Sequence, residues 1–220
     1  MNTVESVERS IERASALKSK INADVLAVPG MSSPKVRHLL NNLCNFDGCN
    51  YLEIGSWKGS TVIAAAFRNT GHFTAIESFT KWRMRGGDAK LALTANQRRF
   101  RHDAPFTLHQ MDAWRVNPTL LPPGVNVYFY DGDHRPKPTA KAFTHFDSVL
   151  AGTFVMVMDD WNRKGIRDAT RAALRGRYRV LYERELFTPD RKNDPHVNPT
   201  SWWNGLYVAL LQKIKGKVDD

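Results

Sequence analysis

The sequence is poor in the features that mark several classes of protein. It has two cysteines, Cys44 and Cys49, among 220 residues, which excludes a disulfide scaffold or a four-cysteine zinc site and favours a reducing compartment. No segment approaches the run of about 18 apolar residues that a membrane helix needs. Glu5, Glu8 and Glu12 interrupt the N-terminal apolar residues, unlike the centre of a secretory signal. These absences predict a cytoplasmic protein with no membrane span.

Positive charge exceeds negative charge. Lys and Arg number 32 and Asp and Glu 22, a net charge of +10, which raises the question of an anionic partner. The basic residues form two clusters, and the first recurs every four residues, as on one face of a helix. Each cluster is either solvated surface or a contact for an anionic ligand. The clusters are Arg163, Arg167, Arg171 and Arg175, with Lys164, Arg177 and Arg179 nearby, and Lys81, Arg83, Arg85, Arg98, Arg99 and Arg101.

The apolar pattern predicts an α/β protein with one domain over residues 1–220. Amphipathic spacing predicts two helices within residues 1–45: one with apolar positions from Val4 to Ile21, and one from Ser33 to Cys44 with Ser33 as its N-cap. Over 46–220, short apolar runs alternate with helical ones, which predicts a doubly wound, mostly parallel sheet. Strands are predicted at 50–54, 72–76, 106–109, 125–130, 154–158, 178–187 and 206–211, and helices at 60–67, 88–100, 139–150 and 166–175. The last two strands have no helix between them and should pair antiparallel.

A glycine-containing loop follows the first predicted strand. Residues 51–60 contain the pattern E-x-G-x-x-x-G, with Glu53, Gly55 and Gly59, and a helix should begin near Ser60. Gly55 permits a sharp turn, Gly59 permits close approach of the backbone to a ligand, and the helix start offers free N–H groups. The spacing is neither the G-x-G-x-x-G of dinucleotide sites nor a Walker loop.

This loop resembles motif I of the class I S-adenosylmethionine-dependent methyltransferases, and the resemblance extends along most of the chain. It implies a Rossmann-like seven-stranded sheet in the order 3-2-1-4-5-7-6, with strand 7 antiparallel, and S-adenosyl-L-methionine as cofactor. In that superfamily an acidic residue after strand two binds the ribose and another after strand three lies near the adenine, positions that Glu77 and Asp112 match. The implied cofactor-binding residues are Glu53, Gly55, Ser56, Gly59, Ser60, Glu77, Ser78, Asp112, Ala113 and Asp131.

Acidic residues also follow the fourth and fifth predicted strands. Asp131 ends one of these strands, and Asp159 and Asp160 end the other. Because the two strands should be neighbours about 4.8 Å apart, these carboxylates should converge. They repel one another unless a cation lies among them. An all-oxygen set suits Mg²⁺, with Mn²⁺ or Ca²⁺ as alternatives. The other interpretation is that these acids cap helices or face solvent.

The acidic pattern resembles the macrocin-type sugar O-methyltransferases and, more distantly, catechol O-methyltransferase. The resemblance implies that Asp131, Asp159 and Asp160 bind the metal and that Asp133 is the base, with His134 as the alternative base. Lys137 matches the lysine base of the catechol-type enzymes less well, because prolines flank it. The resemblance implies O-methylation of a hydroxyl on a sugar or glycan-type small molecule, with a phosphate group on the acceptor left open.

The basic surplus supports a different class, an RNA or other nucleic-acid methyltransferase. Against it, the sequence has no Asn-Pro-Pro-Tyr motif for amine methylation and no Pro-Cys pair for attack on cytosine. A binding domain that has lost catalysis is a third interpretation, which the intact carboxylate set disfavours. An acceptor lid should come from residues 29–34, from the 78–87 loop or from the long connection that leads to 201–204. Trp202 and Trp203 either line a sugar site or pack against the core. Homo-oligomerisation is left open.

Overall fold

The computed structural model describes residues 2–80, 88–188 and 201–214, and its centre is a seven-stranded sheet. The strand order is β3-β2-β1-β4-β5-β7-β6. The pairs from β3 to β5 are parallel, and β7 runs antiparallel to both β5 and β6. The predicted Rossmann-like fold, sheet order and antiparallel last strand are therefore confirmed. The strands are β1 Cys49–Ile54, β2 Gly71–Ile76, β3 Thr107–His109, β4 Val125–Tyr130, β5 Leu150–Met158, β6 Tyr178–Leu186 and β7 Leu206–Lys213.

Most helices begin and end close to the predicted residues. Ser33 caps α3 through its side chain and Asp88 caps α5 in the same way, because hydroxyl and carboxylate oxygens accept from the free N–H groups of a first turn. The helices are α1 Val4–Ser15, α2 Ala23–Leu26, α3 Pro34–Leu43, α4 Ser60–Ala66, α5 Ala89–Arg99, α6 Pro136–His145 and α7 Lys164–Leu174. None of the helices in the described ranges is long and apolar enough to cross a membrane.

Two predicted helices were wrong at their ends. The helix predicted up to Ile21 stops at Ser15, and Leu17 takes a left-handed φ of 55° that no α-helix continues. The apolar spacing continues beyond this break because Ile21 lies in a loop and its side chain is buried in the core. The helix predicted over 139–150 is α6, which begins at Pro136, since proline suits a first helical position. It ends at His145 because Leu150 already pairs with β4.

The hydrophobic core lies on both faces of the sheet. Successive residues of a strand point to opposite faces, so Tyr51 and Val127 join the cluster that packs on α1, α3 and α4. Leu52 and Tyr128 join the other cluster, which includes residues of α6 and α7. Because both faces are covered, the polar residues of the central strands gather at the strand ends. The chain crosses from one face to the other between β1 and β4, where open α/β sheets bind ligands.

Candidate active site

Two adjoining cavities lie at the carboxyl ends of β1, β2 and β4. The smaller cavity has a volume of about 110 Å³ and the larger about 280 Å³. Gly55, Glu77, Asp131 and Gly132 line both. The smaller cavity is also lined by Met31, Ser32, Ser56, Trp57, Ser60, Thr61 and His134. The larger one includes Ser78, Thr80, Met111, Asp112, Ala113, Trp114, Asp133 and Arg135.

The glycine loop turns sharply at Gly55, as predicted. Gly55 has a φ of 92°, and a Cβ atom at this position would lie 2.1 Å from the main-chain oxygen of Asp131. A side chain is therefore excluded both by the left-handed backbone and by the neighbouring strand end. Gly59 precedes α4, but a Cβ there would meet Leu93 and Ile63 rather than a cavity.

Glu53 is fully buried beneath the glycine loop and does not line either cavity. Its carboxylate accepts hydrogen bonds from Tyr51 Oη and from Thr61 Oγ1, the latter at 2.7 Å. Burial raises the pKa of Glu53 to about 7, because a buried carboxylate loses its hydration while the hydroxyl donors compensate only in part. Its position supports the loop from below and gives it no direct contact with either cavity.

Glu77 and Asp112 lie where strands β2 and β3 end, as predicted. Glu77 accepts from the main-chain N–H of Trp57 and of Phe79, both at 2.8 Å, and so joins the glycine loop to the end of β2. Asp112 caps a short 3₁₀ turn by accepting from Trp114 N at 2.9 Å. Both residues line the larger cavity, which therefore presents two carboxylates on the β2–β3 side.

Asp131, His134 and Asp159 form an acidic cluster that we call the Asp-His-Asp cluster. One ligand atom of each residue lies within 4.8 Å of the other two. His134 Nε2 is 3.2 Å from Asp131 Oδ1, and the carboxylates of Asp131 and Asp159 lie next to each other. Burial and the neighbouring carboxylates raise the pKa values of Asp131 and Asp159 well above their usual range. A cation would remove this repulsion, and two oxygens and one imidazole nitrogen are suitable ligands for a divalent ion.

Asp160 is buried beside this cluster but is paired with other side chains. Arg163 Nη1 donates to its Oδ2 at 3.0 Å and Asn204 Nδ2 donates to its Oδ1 at 2.8 Å. His134 Nδ1 lies 3.8 Å from Asp160 Oδ2. Both oxygens of Asp160 are thus engaged, and the three-ligand set contains His134 where the sequence predicts Asp160.

Asp133, predicted as the base, faces the larger cavity rather than the smaller one. Its carboxylate accepts from the guanidinium of Arg135 at 2.6 and 2.9 Å and from Arg135 N at 3.2 Å. A forked ion pair of this kind stabilises the ionised carboxylate. His134, the alternative base, lines the smaller cavity. The structure therefore separates the two candidate bases into different cavities.

The sequence did not identify Arg37 as part of the site. Arg37 lies on α3, is 5% exposed, and binds the chain segment that carries Met31 and Ser32 to the smaller cavity. Gly30, in the same segment, lies so close to α4 that a Cβ would be 1.8 Å from Ser60 Oγ. An arginine between Val36 and Leu39 on a predicted amphipathic helix was the available signal, but the segment that it binds could not be read from it.

The arginines of the first basic cluster contact their own chain. Arg163 pairs with Asp160, Arg167 donates to Trp161 O at 2.8 Å, and Arg171 pairs with Glu185. These contacts account for three arginines of the cluster without a nucleic-acid partner. In the second cluster, Lys81, Arg83 and Arg85 lie outside the described residues.

The three segments predicted to form a lid have different outcomes. Met31 and Ser32 line the smaller cavity, whereas residues 81–87 and 189–200 lie outside the described ranges. Trp202 and Trp203 are at most 9% exposed and belong to the core cluster of the α1 face. Asn204 instead reaches the site, through its bond to Asp160.

A family model described as a methyltransferase domain matches residues 52–161, half of the chain. These residues include the glycine loop, the strand ends that border the two cavities, and the Asp-His-Asp cluster. This chain belongs to the methyltransferase-domain family. The resemblance to class I S-adenosylmethionine-dependent methyltransferases is thereby confirmed. No curated protein matches the sequence.

Solved structures show the same methyltransferase fold. The O-methyltransferase from Bacillus cereus, in complex with SAH, has a TM-score of 0.60 and 16% identity, over 96% of this chain and 93% of that chain. The O-methyltransferase TomG from Streptomyces achromogenes, in complex with SAM, has a TM-score of 0.58 and 18% identity, over 96% and 91%. Cofactor-bound Rv0187 from MTB has a TM-score of 0.59 and 15% identity, over 94% and 90%. At these identities the likeness establishes the fold alone.

Proposed function

We propose that this methyltransferase transfers a methyl group from S-adenosyl-L-methionine to a hydroxyl of a sugar or similar small molecule, with the help of a divalent metal ion. The observation that carries the proposal is the Asp-His-Asp cluster, which lies beside the smaller cavity at the end of β4 and β5. Methyl transfer is an in-line displacement, so the protein must mainly orient the acceptor and remove its proton.

The cavities suit the two ends of S-adenosyl-L-methionine. Glu77, Ser78, Asp112 and Ala113 offer acceptors and a small apolar contact in the larger cavity, which suits a ribose and an adenine. Ser56, Ser60 and Thr61 offer hydroxyls in the smaller cavity, which suits the methionine end. Gly55 lines both cavities and so lies where the two ends of the cofactor would meet. TomG and the Bacillus cereus enzyme are described with SAM and SAH, which supports the same cofactor here.

The Asp-His-Asp cluster suits a divalent ion. Two carboxylates whose pKa values are raised by burial and mutual repulsion, together with a histidine, are stabilised when a cation is added. We propose Mg²⁺ as the ion, with Mn²⁺ or Ca²⁺ as alternatives. When bound, such an ion lowers the pKa of a coordinated hydroxyl and orients it. Asp131 and Asp159 are proposed ligands, and the engaged oxygens of Asp160 favour His134 as the third ligand.

The metal hypothesis is tested by Asp159→Asn, with Asp168→Asn as the matched control. Asp168 is exposed and pairs with Lys164 on α7, so the same chemical change there leaves the cavities intact. Titration with Mn²⁺, followed by electron paramagnetic resonance, should show that Asp159→Asn binds Mn²⁺ about tenfold more weakly than the wild type, or weaker still. Asp168→Asn should bind it as the wild type does. Equal affinities for the wild type and Asp159→Asn, or methylation of a sugar panel that EDTA leaves unchanged, would contradict the hypothesis.

The two candidate bases predict different outcomes. If Asp133 is the base, Asp133→Asn should lower kcat by about 100-fold or more and leave the Mn²⁺ affinity unchanged. If His134 is a ligand, His134→Gln should weaken Mn²⁺ binding, whereas a histidine that acts only as base should affect kcat alone. Because His134 Nε2 lies 3.2 Å from Asp131 Oδ1, within the Asp-His-Asp cluster, we expect loss of metal affinity from His134→Gln.

A further inference from the structure

We propose that Arg37 is a positioning residue that makes the smaller cavity selective for the zwitterionic amino-acid end of its ligand. It does so in two ways. Arg37 fixes Ser32 opposite Ser60, and it places a positive charge behind these two hydroxyl groups, which we call the Ser32–Ser60 wall. The inference rests on the proposed function, because the ligand with such an end is S-adenosyl-L-methionine or its product, S-adenosyl-L-homocysteine.

Arg37 is held by neutral groups on every side that the structure describes. Its Nη1 donates to the main-chain oxygens of Val25, Leu26 and Val28 at 3.4, 3.0 and 2.8 Å. Its Nε donates to Ser32 Oγ at 3.0 Å and its Nη2 to Ser32 O at 3.4 Å. These bonds curl residues 25–32 around the guanidinium, and two of them hold Ser32.

Within the part of the chain that the structure describes, the charge of Arg37 has no counterion. Among residues 2–80, 88–188 and 201–214, no carboxylate forms an ion pair with Arg37. Burial lowers the pKa of Arg37 to about 10, so the guanidinium is still protonated at neutral pH. A buried charge without a counterion is costly, and a carboxylate on a ligand beside Ser32 would offset part of that cost.

Ser32 and Ser60 connect this charge to the cavity. Both line the smaller cavity, with their hydroxyl oxygens 3.4 Å apart. Since Ser32 Oγ accepts from Arg37, its own proton is left for Ser60 or for a ligand. The absent side chain of Gly30 allows this approach, because a Cβ there would overlap Ser60 and lie 3.1 Å from Arg37 Nη2.

The rest of the smaller cavity has the opposite polarity. Glu77 lines it with its carboxylate, whereas the Ser32–Ser60 wall presents hydroxyl donors with a cation behind them. A ligand group with an ammonium and a carboxylate on one carbon matches both polarities. A neutral group would leave the charge of Arg37 uncompensated, so the cavity should discriminate between ligands that differ only in this group.

Two commercially available ligands provide the test. S-adenosyl-L-homocysteine has the amino-acid end, and 5′-methylthioadenosine has the same nucleoside without it. Isothermal titration should be made with the wild type, Arg37→Met and Arg37→Lys. We expect Arg37→Met to bind S-adenosyl-L-homocysteine about tenfold to a hundredfold more weakly, and to bind 5′-methylthioadenosine within about twofold of the wild type. Arg37→Lys keeps the charge and should recover part of the lost affinity.

Asn41→Ala is the structural control. Asn41 is fully buried on the same helix, and its Nδ2 donates to Ala64 O and Phe67 O. Its loss should lower the melting temperature without changing the ratio of the two dissociation constants. If Arg37→Met does not fold, Ser32→Ala carries the same expectation, a selective loss of S-adenosyl-L-homocysteine affinity.

The outcomes separate the inference from the proposed function. Equal losses for both ligands, or no loss for either, would overturn the role of Arg37 while leaving the methyltransferase proposal intact. A wild type that binds neither ligand would overturn both. A selective loss in Arg37→Met that Arg37→Lys partly restores, with an unchanged ratio in Asn41→Ala, would establish the positioning role.

Discussion

Glu53 offers a prediction whose size can be worked out from its surroundings. Its side chain is fully buried, and Thr61 and Tyr51 donate hydrogen bonds to its carboxylate. Burial raises its pKa from an ordinary 4.5 to about 7. In the unfolded chain the same carboxyl is hydrated and titrates near its ordinary value. The stability of the fold should therefore depend on pH through this one group.

The direction follows from which state holds the proton. Below pH 4.5 the carboxyl is protonated in both states, and its contribution to stability is fully present. As the pH rises from 4.5 to about 7, the unfolded chain releases the proton while the folded chain keeps it, so the free energy of unfolding falls. The loss is complete above about pH 7 and amounts to about 3 kcal/mol, since each tenfold change in proton affinity is worth about 1.4 kcal/mol.

Glu53→Gln should abolish this pH dependence. Glutamine can accept from one neighbouring hydroxyl and donate to the other, so the packing is kept while the titration is lost. Urea unfolding of both proteins in EDTA, at steps from pH 4.5 to 8, measures the difference in unfolding free energy. That difference should move by about 3 kcal/mol in favour of Glu53→Gln as the pH rises. Parallel curves, within the error of extrapolation, would refute the reasoning.

Thr61→Val tests the same reasoning from the donor side. Thr61 Oγ1 donates to Glu53 Oε1 at 2.7 Å, and this bond favours the ionised carboxylate and lowers its pKa. Without the donor, the pKa of Glu53 should rise further, and the pH range over which stability falls should extend upward. An unchanged range would show that the hydrogen bond does not influence the titration.

Two further predictions concern stability away from Glu53. Gly55→Ala would place a Cβ 2.1 Å from Asp131 O on a left-handed backbone, so it should lower the free energy of unfolding by more than about 2 kcal/mol. Gly152→Ala meets nothing within 4 Å and should change it by less than about 0.5 kcal/mol; similar values for the two variants would contradict the steric argument. Arg171→Met removes an ion pair with Glu185 whose arginine is 52% exposed, and should cost less than about 1 kcal/mol in thermal unfolding because solvent screens the pair. A larger cost would mean that Arg171 supports the packing of α7.

The sheet could be predicted because its signals are local. Apolar runs such as 125–130 and the turn at Gly55 are properties of a few neighbouring residues, and the resemblance to class I methyltransferases supplied the strand order. The predicted first helix failed at Leu17 because a buried Ile21 continues the apolar spacing after the backbone has left the helix. A repeat of apolar residues reports burial, and a loop can bury a residue as well as a helix can.

The site was predicted less completely than the fold. The sequence indicated that Asp131 and Asp159 would meet, since they end neighbouring strands, and the structure brings them together with His134. It gave no sign that Asn204, 44 residues beyond Asp160, would bind that carboxylate. Asp133 and His134 are adjacent in the chain, yet the turn after β4 directs them into different cavities. The role of each in catalysis stays a prediction.

The amino-acid sequence by itself determined the strands, the glycine turn and the edge of the sheet at which the acidic residues gather. These features depend on side-chain type and on spacing within a few residues. Tertiary structure alone decided which carboxylates are engaged, as Asp160 is by Arg163 and Asn204. It also decided that Arg37 reaches the wall of the smaller cavity through Ser32. Contacts between distant segments arise from how the helices and loops pack onto the sheet, and no local pattern records them.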